Sequence, residues 1–214
     1  MEPVAQQAIG IGIVILLGVV TLVGANWLSD HRVSPGVSRR VAGALWGLAF
    51  LAAILTLEAA AAIILTFSIA AAIALLRWVA RSQLRGLRTG ESGNKWGEVA
   101  YPLAGAGSLA FGWGLLGDRW LAFVPIGFMA WGDNVAGIMR SCLSAGRRTG
   151  AWPSVAMLAT CLGIAFLYQP YWIAAAGALA AVIAERFRPT THPVWDDNWA
   201  IVATALTVMI GLRR

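Results

Sequence analysis

Long apolar runs separated by short polar stretches dominate the chain and indicate its fold class. Eight such runs occur, at about 8–27, 41–57, 59–77, 99–116, 120–139, 151–168, 171–185 and 196–212. A helix of about 20 apolar residues crosses a bilayer, and the second, seventh and eighth runs are short for that. The pattern predicts an all-α, polytopic membrane helix bundle with about eight transmembrane segments (seven to nine).

The composition favours a single membrane domain that covers residues 1–214. Hydrophobic residues make up 59% of the chain and charged residues only 12%, whereas a soluble domain carries about 25% charged residues. No stretch is polar enough or long enough to fold as a separate soluble domain. The two cysteines, Cys142 and Cys161, indicate neither a disulfide framework nor a zinc site.

The basic residues concentrate in alternate connections, which predicts the orientation of the bundle. Thirteen of the 16 fall in or beside the connections 28–40, 78–98, 140–150 and 186–195, namely Arg32, Arg39, Arg40, Arg77, Arg81, Arg85, Arg88, Lys95, Arg140, Arg147, Arg148, Arg186 and Arg188. The positive-inside rule then places these loops in the cytoplasm and both termini outside, as in a prokaryotic cell membrane. The net charge of +6 reflects this topology, and no patterned basic face is left for a nucleic acid.

The stretch "WGDNVAGIMR" places Asp133 and Asn134 inside an apolar run. A carboxylate at membrane depth costs roughly 2.5–3.5 kcal/mol on insertion scales, so a functional reason is expected. Asp133 precedes Arg140 by seven residues, about two helical turns, and the two side chains should therefore share one helical face. Gly137 lies between them and leaves room for a ligand or for another helix.

Other polar residues are predicted at the same depth, on the cytoplasmic side. They are Arg39 and Arg40 at the start of the second run, Glu98 at the start of the fourth, and Asp196, Asp197 and Asn198 at the start of the eighth. Carboxylates with arginines are what Mg²⁺ and a polyphosphate require, because Mg²⁺ prefers oxygen ligands and arginine binds phosphate bidentately. The alternative is that the acids only neutralise arginines and hold helices together. The adjacent Asp196 and Asp197 favour a cation, since they repel each other without one.

The common nucleotide-binding motifs do not occur in the sequence. There is no G-x-x-x-x-G-K-[ST] motif, and the protein-kinase signatures are absent as well. Any phosphoryl transfer would therefore need a membrane-embedded site of another kind.

Four motifs, in this order, resemble the CTP-dependent polyprenol kinase family (phytol, dolichol and yeast-type diacylglycerol kinases). "SRRVAGALWG" resembles the basic dyad that opens a membrane helix, and "GEVAYPL" is similar to the family's G-E-x-x-Y-P-L motif. "WGDNVAGIMR" resembles its G-D-x-x-A-x-x-x-G motif, and "AERFRPTTHPVWDDNWAI" resembles its late glutamate followed by Asp-Asp-Asn. The match covers about residues 36–212. The chain departs from the family at "RRTGAWPSVAM", which has no lysine and leaves the choice of nucleotide open.

The resemblance implies a lipid-alcohol kinase that uses Mg²⁺ and CTP. The substrate would be a membrane-embedded isoprenoid alcohol such as phytol, geranylgeraniol or a polyprenol. Asp133 would be catalytic, as a metal ligand or as acceptor of the hydroxyl proton, with Asp196 and Asp197 as further metal ligands. The residues expected to bind the nucleotide are Arg39, Arg40, Glu98, Asn134, Gly137, Arg140, Arg148 and Asn198.

Three alternatives remain open at the level of sequence. The first is a cytidylyltransferase that forms a CDP-lipid, although its C-terminal signature is not present. The second is a CTP-dependent diacylglycerol kinase. The third is a transporter or scaffold, whose buried polar groups would form a permeation path.

Overall fold

The computed structural model describes residues 3–31, 33–80, 96–143, 150–187 and 197–214, and these are helical apart from short connections. The α-helices are α1 (Pro3–Asp30), α2 (Pro35–Thr56), α3 (Ala59–Val79), α4 (Gly97–Ser108), α5 (Arg119–Gly127), α6 (Asn134–Leu143), α7 (Trp152–Ala165), α8 (Tyr171–Arg186) and α9 (Asp197–Leu212). Two π-helical segments, π1 (Leu109–Leu115) and π2 (Phe128–Asp133), continue α4 and join α5 to α6. The described residues contain no strand, which confirms the all-α prediction.

Each predicted apolar run corresponds to one continuous helical rod, and four of the rods are long and apolar enough to cross a membrane. These four are Val4–Asp30, Gly36–Thr56, Ala59–Val79 and Arg119–Leu143. Helices α7 and α9 are apolar but shorter, about 21 and 24 Å long, against a hydrocarbon core of about 30 Å. The described residues thus have the helices expected of an integral membrane protein.

The predicted start of the second run at residue 41 was wrong. Helix α2 begins at Pro35, with Ser34 as N-cap accepting a hydrogen bond from the Val37 amide at 3.4 Å. Serine at the N-cap and proline at the first helical position are a strong start signal, because proline lacks the N–H that the first turn leaves unpaired. Arg39 and Arg40 therefore lie inside the first turns of a 22-residue helix.

The rod Arg119–Leu143, which we call the central helix, is enclosed by the other helices. In its most apolar window 83% of the residues are buried, against 22% for α1 and α3, which lie at the periphery. Helices α2, α7 and α9 all pack against it. The polar residues Asp133 and Asn134 on the central helix are buried and therefore face protein rather than lipid.

Close contacts at small residues bring the rods together. A Cβ atom on Gly112 would lie 2.7 Å from the backbone of Ala122, and one on Gly47 would lie 2.8 Å from the Cβ of Ala130. Gly105 lies under the ring of Phe50. The glycine-rich stretch "GAGSLAFGWGLLG" is thus a packing face, as glycine and alanine permit close approach of membrane helices.

Ion pairs define the two ends of the bundle. Arg213 at the end of α9 pairs with Asp118, the N-cap of α5, at 3.1 Å. At the other end α2, α4 and α9 begin while α3, α6 and α8 terminate. We call this second end the polar end, because Arg40 and Arg140 contact Asp133 there and Arg140 also contacts Glu185.

Candidate functional site

Two arginines from different helices converge on Asp133, the last residue of π2. The Arg140 Nη2 atom lies 3.4 Å from Asp133 Oδ1, and the Arg40 Nη1 atom lies 4.0 Å from Asp133 Oδ2. Arg40 also donates a hydrogen bond of 3.2 Å to the Asp133 backbone carbonyl. The Asp133 side chain is only 10% exposed. The predicted pairing of Asp133 and Arg140 on one helical face is confirmed, and the approach of Arg40 comes from tertiary packing.

Arg140 also bridges Asp133 to a second buried acid. Its Nη1 atom forms a close ion pair with Glu185 Oε1, near the end of α8. The Glu185 side chain is 2% exposed, whereas that of Arg140 is 29% exposed. Arg140 thus joins the central helix to α8, and part of its side chain remains exposed.

Glycines bring α2 against the central helix at this site. The space beside Gly137 is filled by the Arg40 guanidinium, and a Cβ atom there would collide with it. The predicted room beside Gly137 is therefore occupied by a side chain of another helix. Gly43 similarly contacts the Asn134 amide, which donates to the Ala130 carbonyl at 2.6 Å.

Tyr101 closes the site from the side of α4. Its hydroxyl donates a hydrogen bond of 2.8 Å to the Gly43 carbonyl. The Tyr101 side chain is itself buried. Of the predicted site residues, Arg40, Asn134, Gly137 and Arg140 lie together around Asp133.

Glu98 forms a separate ion pair near the start of α4. Its Oε1 atom contacts Arg77 near the end of α3, and the Arg77 guanidinium lies 4.8 Å from the centre of the Trp96 ring. Among the described residues, the Glu98 Oε2 atom has no hydrogen-bond partner although it is buried. Glu98 is thus bound to α3 through one oxygen, and its second oxygen is buried without a hydrogen-bond partner among the described residues.

The polar start of α9 is only partly described. Asn198 is buried, and its Nδ2 atom has no hydrogen-bond partner within the described ranges. Asp197 begins the helix and is partly exposed. Asp196 and Arg148, which we also predicted for the site, lie outside the described residues.

The carboxylates fit a Mg²⁺ ion that arrives with a polyphosphate, but they do not form a complete protein cage. Within the described part of the chain, no group of three or more His, Cys, Asp or Glu residues could hold a metal. Mg²⁺ usually needs only one or two carboxylates, with phosphate oxygens and water completing its shell. Among the described residues, the buried carboxylate of Asp133 is a donor of that kind.

Three residues that contact the site or its neighbours were not among the predicted site residues. Glu185 and Tyr101 lie in quoted motifs, but no sequence period links either to Asp133. Arg77 was counted only among the basic residues in or beside the cytoplasmic connections, whereas its side chain is buried, with 9% exposed. Each pairs with a residue 21 to 58 positions away in the chain, which local spacing cannot reveal.

The comparisons with known proteins give no family for this chain. No protein-family model, no curated protein and no solved structure matches it.

Proposed function

We propose that the protein is a lipid-alcohol kinase that transfers the terminal phosphate of CTP to a membrane-embedded isoprenoid alcohol. The observation that carries this proposal is the convergence of Arg40 and Arg140 on the buried carboxylate of Asp133. Their distances of 4.0 and 3.4 Å are longer than the 2.7–2.9 Å typical of charge-assisted hydrogen bonds. The Arg40 and Arg140 side chains are 20% and 29% exposed, so a phosphate that reaches them could be bound without a large rearrangement.

The arrangement supplies the electrostatics that phosphoryl transfer needs. Arg39, Arg40 and Arg140 bind the phosphate oxygens, and catalysis consists mainly of positioning and charge neutralisation. The hydroxyl oxygen of the alcohol attacks the terminal phosphorus, and Asp133 accepts the proton that this oxygen loses. The bond from that phosphorus to the bridging oxygen breaks, and the products are a lipid monophosphate and CDP.

A magnesium ion, when bound with the nucleotide, would neutralise the charge that develops on the phosphate oxygens. Asp133 and Asp197 are the described residues that would hold it, with Asp196 beside them in sequence. Glu98, Asn134, Gly137 and Asn198 line the nucleotide side of the site in this proposal, together with Arg148.

The orientation in the membrane belongs to the same proposal. All eight rods cross or enter the bilayer, the polar end faces the cytoplasm, and both termini lie outside. A lipid alcohol can then keep its tail in the hydrocarbon while its hydroxyl meets the nucleotide at the interface. The excess of basic residues in the connections at the polar end supports this orientation.

A direct assay tests the proposal and separates it from its rivals. Purified protein with Mg²⁺ and γ-³²P-labelled CTP should transfer label to an isoprenoid alcohol and release CDP. Release of pyrophosphate would instead identify a cytidylyltransferase. Transfer to diacylglycerol alone would change the substrate, and transfer from ATP but not CTP would change the donor. No nucleotide turnover with any lipid would overturn the proposal in favour of a transporter or scaffold.

Replacing Gly137 by alanine should weaken nucleotide binding. The added methyl group takes the place of the Arg40 guanidinium, which moves away from Asp133 because a long side chain can yield. We expect the KM for the nucleotide to rise about tenfold, the scale of one hydrogen bond to a charged group. The matched control is Gly163→Ala on α7, where a Cβ atom meets no other atom within 4 Å. Equal KM values in both variants would contradict a role for Arg40.

A further inference from the structure

Helix α2 and the central helix run antiparallel and interlock at three successive turns. At each turn a glycine on one helix lies against a side chain of the other. The three pairs are Gly47 with Trp131, Gly43 with Asn134, and Gly137 with Arg40. Successive members lie three or four residues apart on each helix, so the pairs form one continuous contact face. The position of α2 along the central helix is therefore set by how these side chains fit.

Trp131 makes the only directional bond from this face of the central helix to α2 among the described residues of the three pairs, apart from the contacts of Arg40. Its Nε1 atom donates a hydrogen bond of 3.2 Å to the Ala44 carbonyl of α2. A Cβ atom on Gly47 would lie 2.9 Å from the Cε2 atom of the ring, so there is no space between the ring and α2. Within the central helix, the Phe123 ring meets Trp131 edge-on, with the ring centroids 5.9 Å apart. Trp131 is thus held by packing in its own helix while it binds α2.

Tyr101 binds the same turn of α2 from a third helix, α4. Its hydroxyl donates a hydrogen bond of 2.8 Å to the carbonyl of Gly43, the residue before Ala44. A backbone carbonyl has two lone pairs, so it can accept a side-chain donor and still accept its helical hydrogen bond. Two successive carbonyls of α2 thus accept side-chain donors from the two helices that flank it.

This turn of α2 determines where Arg40 lies. Arg40 precedes Gly43 and Ala44 by three and four residues, so its side chain leaves α2 on the same face, one turn nearer the polar end. The Arg40 Nη1 atom lies 3.2 Å from the Asp133 carbonyl oxygen and 4.0 Å from Asp133 Oδ2. A slide of α2 by one residue, about 1.5 Å, would displace the base of this side chain by a similar distance. The contact of Arg40 with Asp133 therefore depends on the position of α2.

The residue that binds α2 and the carboxylate that meets Arg40 belong to one short segment. Trp131 and Asp133 lie two residues apart in π2. Short π-helical segments are rare and occur frequently at functional sites. A bond from Trp131 to α2 therefore fixes α2 directly relative to Asp133, with little of the chain in between.

We propose that Trp131 and Tyr101 are positioning residues for Arg40, an inference that rests on the proposed function. They act through the backbone of α2: their bonds to the turn at Gly43 and Ala44 hold the helix where the Arg40 guanidinium reaches the phosphate site. Arg40 supplies the charge that binds phosphate, and the two aromatic side chains supply its place.

The kinetic test removes one side-chain donor at a time. Trp131→Phe and Tyr101→Phe keep an aromatic ring but lose the bond to α2, and a folding defect in one leaves the other as a test. We expect the KM for the nucleotide to rise about two- to tenfold, the scale of one hydrogen bond, and the KM for the alcohol to stay the same. The matched controls are Trp113→Phe in π1 and Tyr168→Phe after α7, which are partly and fully buried outside the contact face. A parental nucleotide KM in both test variants would overturn the proposal.

A double-mutant cycle separates positioning from a general effect on the fold. Arg40→Gln should raise the nucleotide KM by itself. Adding Trp131→Phe or Tyr101→Phe to that variant should then change the KM little, because the side chain through which they act is already gone. Effects that simply multiply would show that the aromatic residues act independently of Arg40, and this result would overturn the proposal.

A measurement without turnover keeps this proposal separate from the kinase proposal. Spin labels on Gly36→Cys in α2 and Leu143→Cys in the central helix, both exposed positions, report the position of one helix on the other. The background carries Cys142→Ser, and Cys161 is buried and should not take the label. Electron paramagnetic resonance should give a narrow distance distribution in the parent and a shifted or broader one after Trp131→Phe or Tyr101→Phe.

The two kinds of measurement fail in different ways. An unchanged distance distribution in both test variants would overturn the positioning role, whether or not the protein is a kinase. A changed distribution in a protein that transfers no phosphate would refute the kinase and leave Trp131 and Tyr101 as the residues that hold α2.

Discussion

We expect the Asp133→Asn variant to insert into the membrane and to lose phosphoryl transfer by about 10³-fold or more, the scale of losing one charged group at such a site. The amide keeps the shape of the side chain but neither accepts the hydroxyl proton nor balances two guanidiniums. Some stability is lost as well, because Arg40 and Arg140 keep their charges near each other. Their side chains are 20% and 29% exposed, so water screens part of that repulsion.

Glu185→Gln is the matched control for Asp133→Asn. It removes the charge of the carboxylate that pairs with Arg140, but it leaves Asp133, the carboxylate that we place at the reacting atoms. Turnover per folded protein, with the folded fraction measured by size-exclusion chromatography in detergent, should fall sharply only for Asp133→Asn. If both variants reduce activity merely in proportion to the folded fraction, the ion pairs are structural and Asp133 is not catalytic.

The second large effect is expected on stability, at the ion pair between Arg77 and Glu98. The variant Arg77→Met leaves the Glu98 carboxylate, whose side chain is 1% exposed, without its charged partner. Breaking a buried ion pair by removing one partner costs about 3–5 kcal/mol. The free energy of unfolding in mixed detergent–SDS titrations should fall by about that amount.

The double variant with Arg77→Met and Glu98→Leu completes the test. Replacing both members of a buried pair by apolar residues of similar size is often neutral or stabilising, so most of the lost stability should return. Activity should not return with it if Glu98 also contributes its second oxygen to the nucleotide site. Stability that stays low in the double variant would mean that the ion pair is not the source of the loss.

The apolar pattern predicted the helices better than it predicted their ends. Each run forms a helical rod because a run of apolar residues over consecutive helical turns is a local pattern, which the sequence shows directly. Helix α2 starts before its apolar run because the Ser34–Pro35 capping signal begins the helix there, and hydropathy does not register that signal. The π-helical segments had no such signal, since one extra residue in a turn does not alter the apolar composition.

The site was predictable where it depended on one helix. Asp133 and Arg140 follow the helical period, so their shared face could be read directly from a spacing of seven. The contacts of Arg40 with Asp133, of Arg140 with Glu185 and of Arg77 with Glu98 depend on which helix faces meet. Small residues such as Gly137 and Gly43 let two helices approach closely at these faces. A sequence shows such residues but not which helix packs against them.

By itself, the sequence determined an all-helical bundle with helices long enough to cross a membrane. It also showed Asp133 as a carboxylate inside an apolar run, where it needs a functional or structural reason. It could do so because hydropathy and helical period act over neighbouring residues. Only the tertiary structure decided that Arg119–Leu143 is the enclosed central helix and that Arg40 comes to Asp133 from another rod. It also decided that Glu98 is bound to α3 and that Trp131 donates a hydrogen bond to α2. These features depend on contacts between residues far apart in the chain, where close packing at glycines and the pairing of buried charges select one arrangement among many.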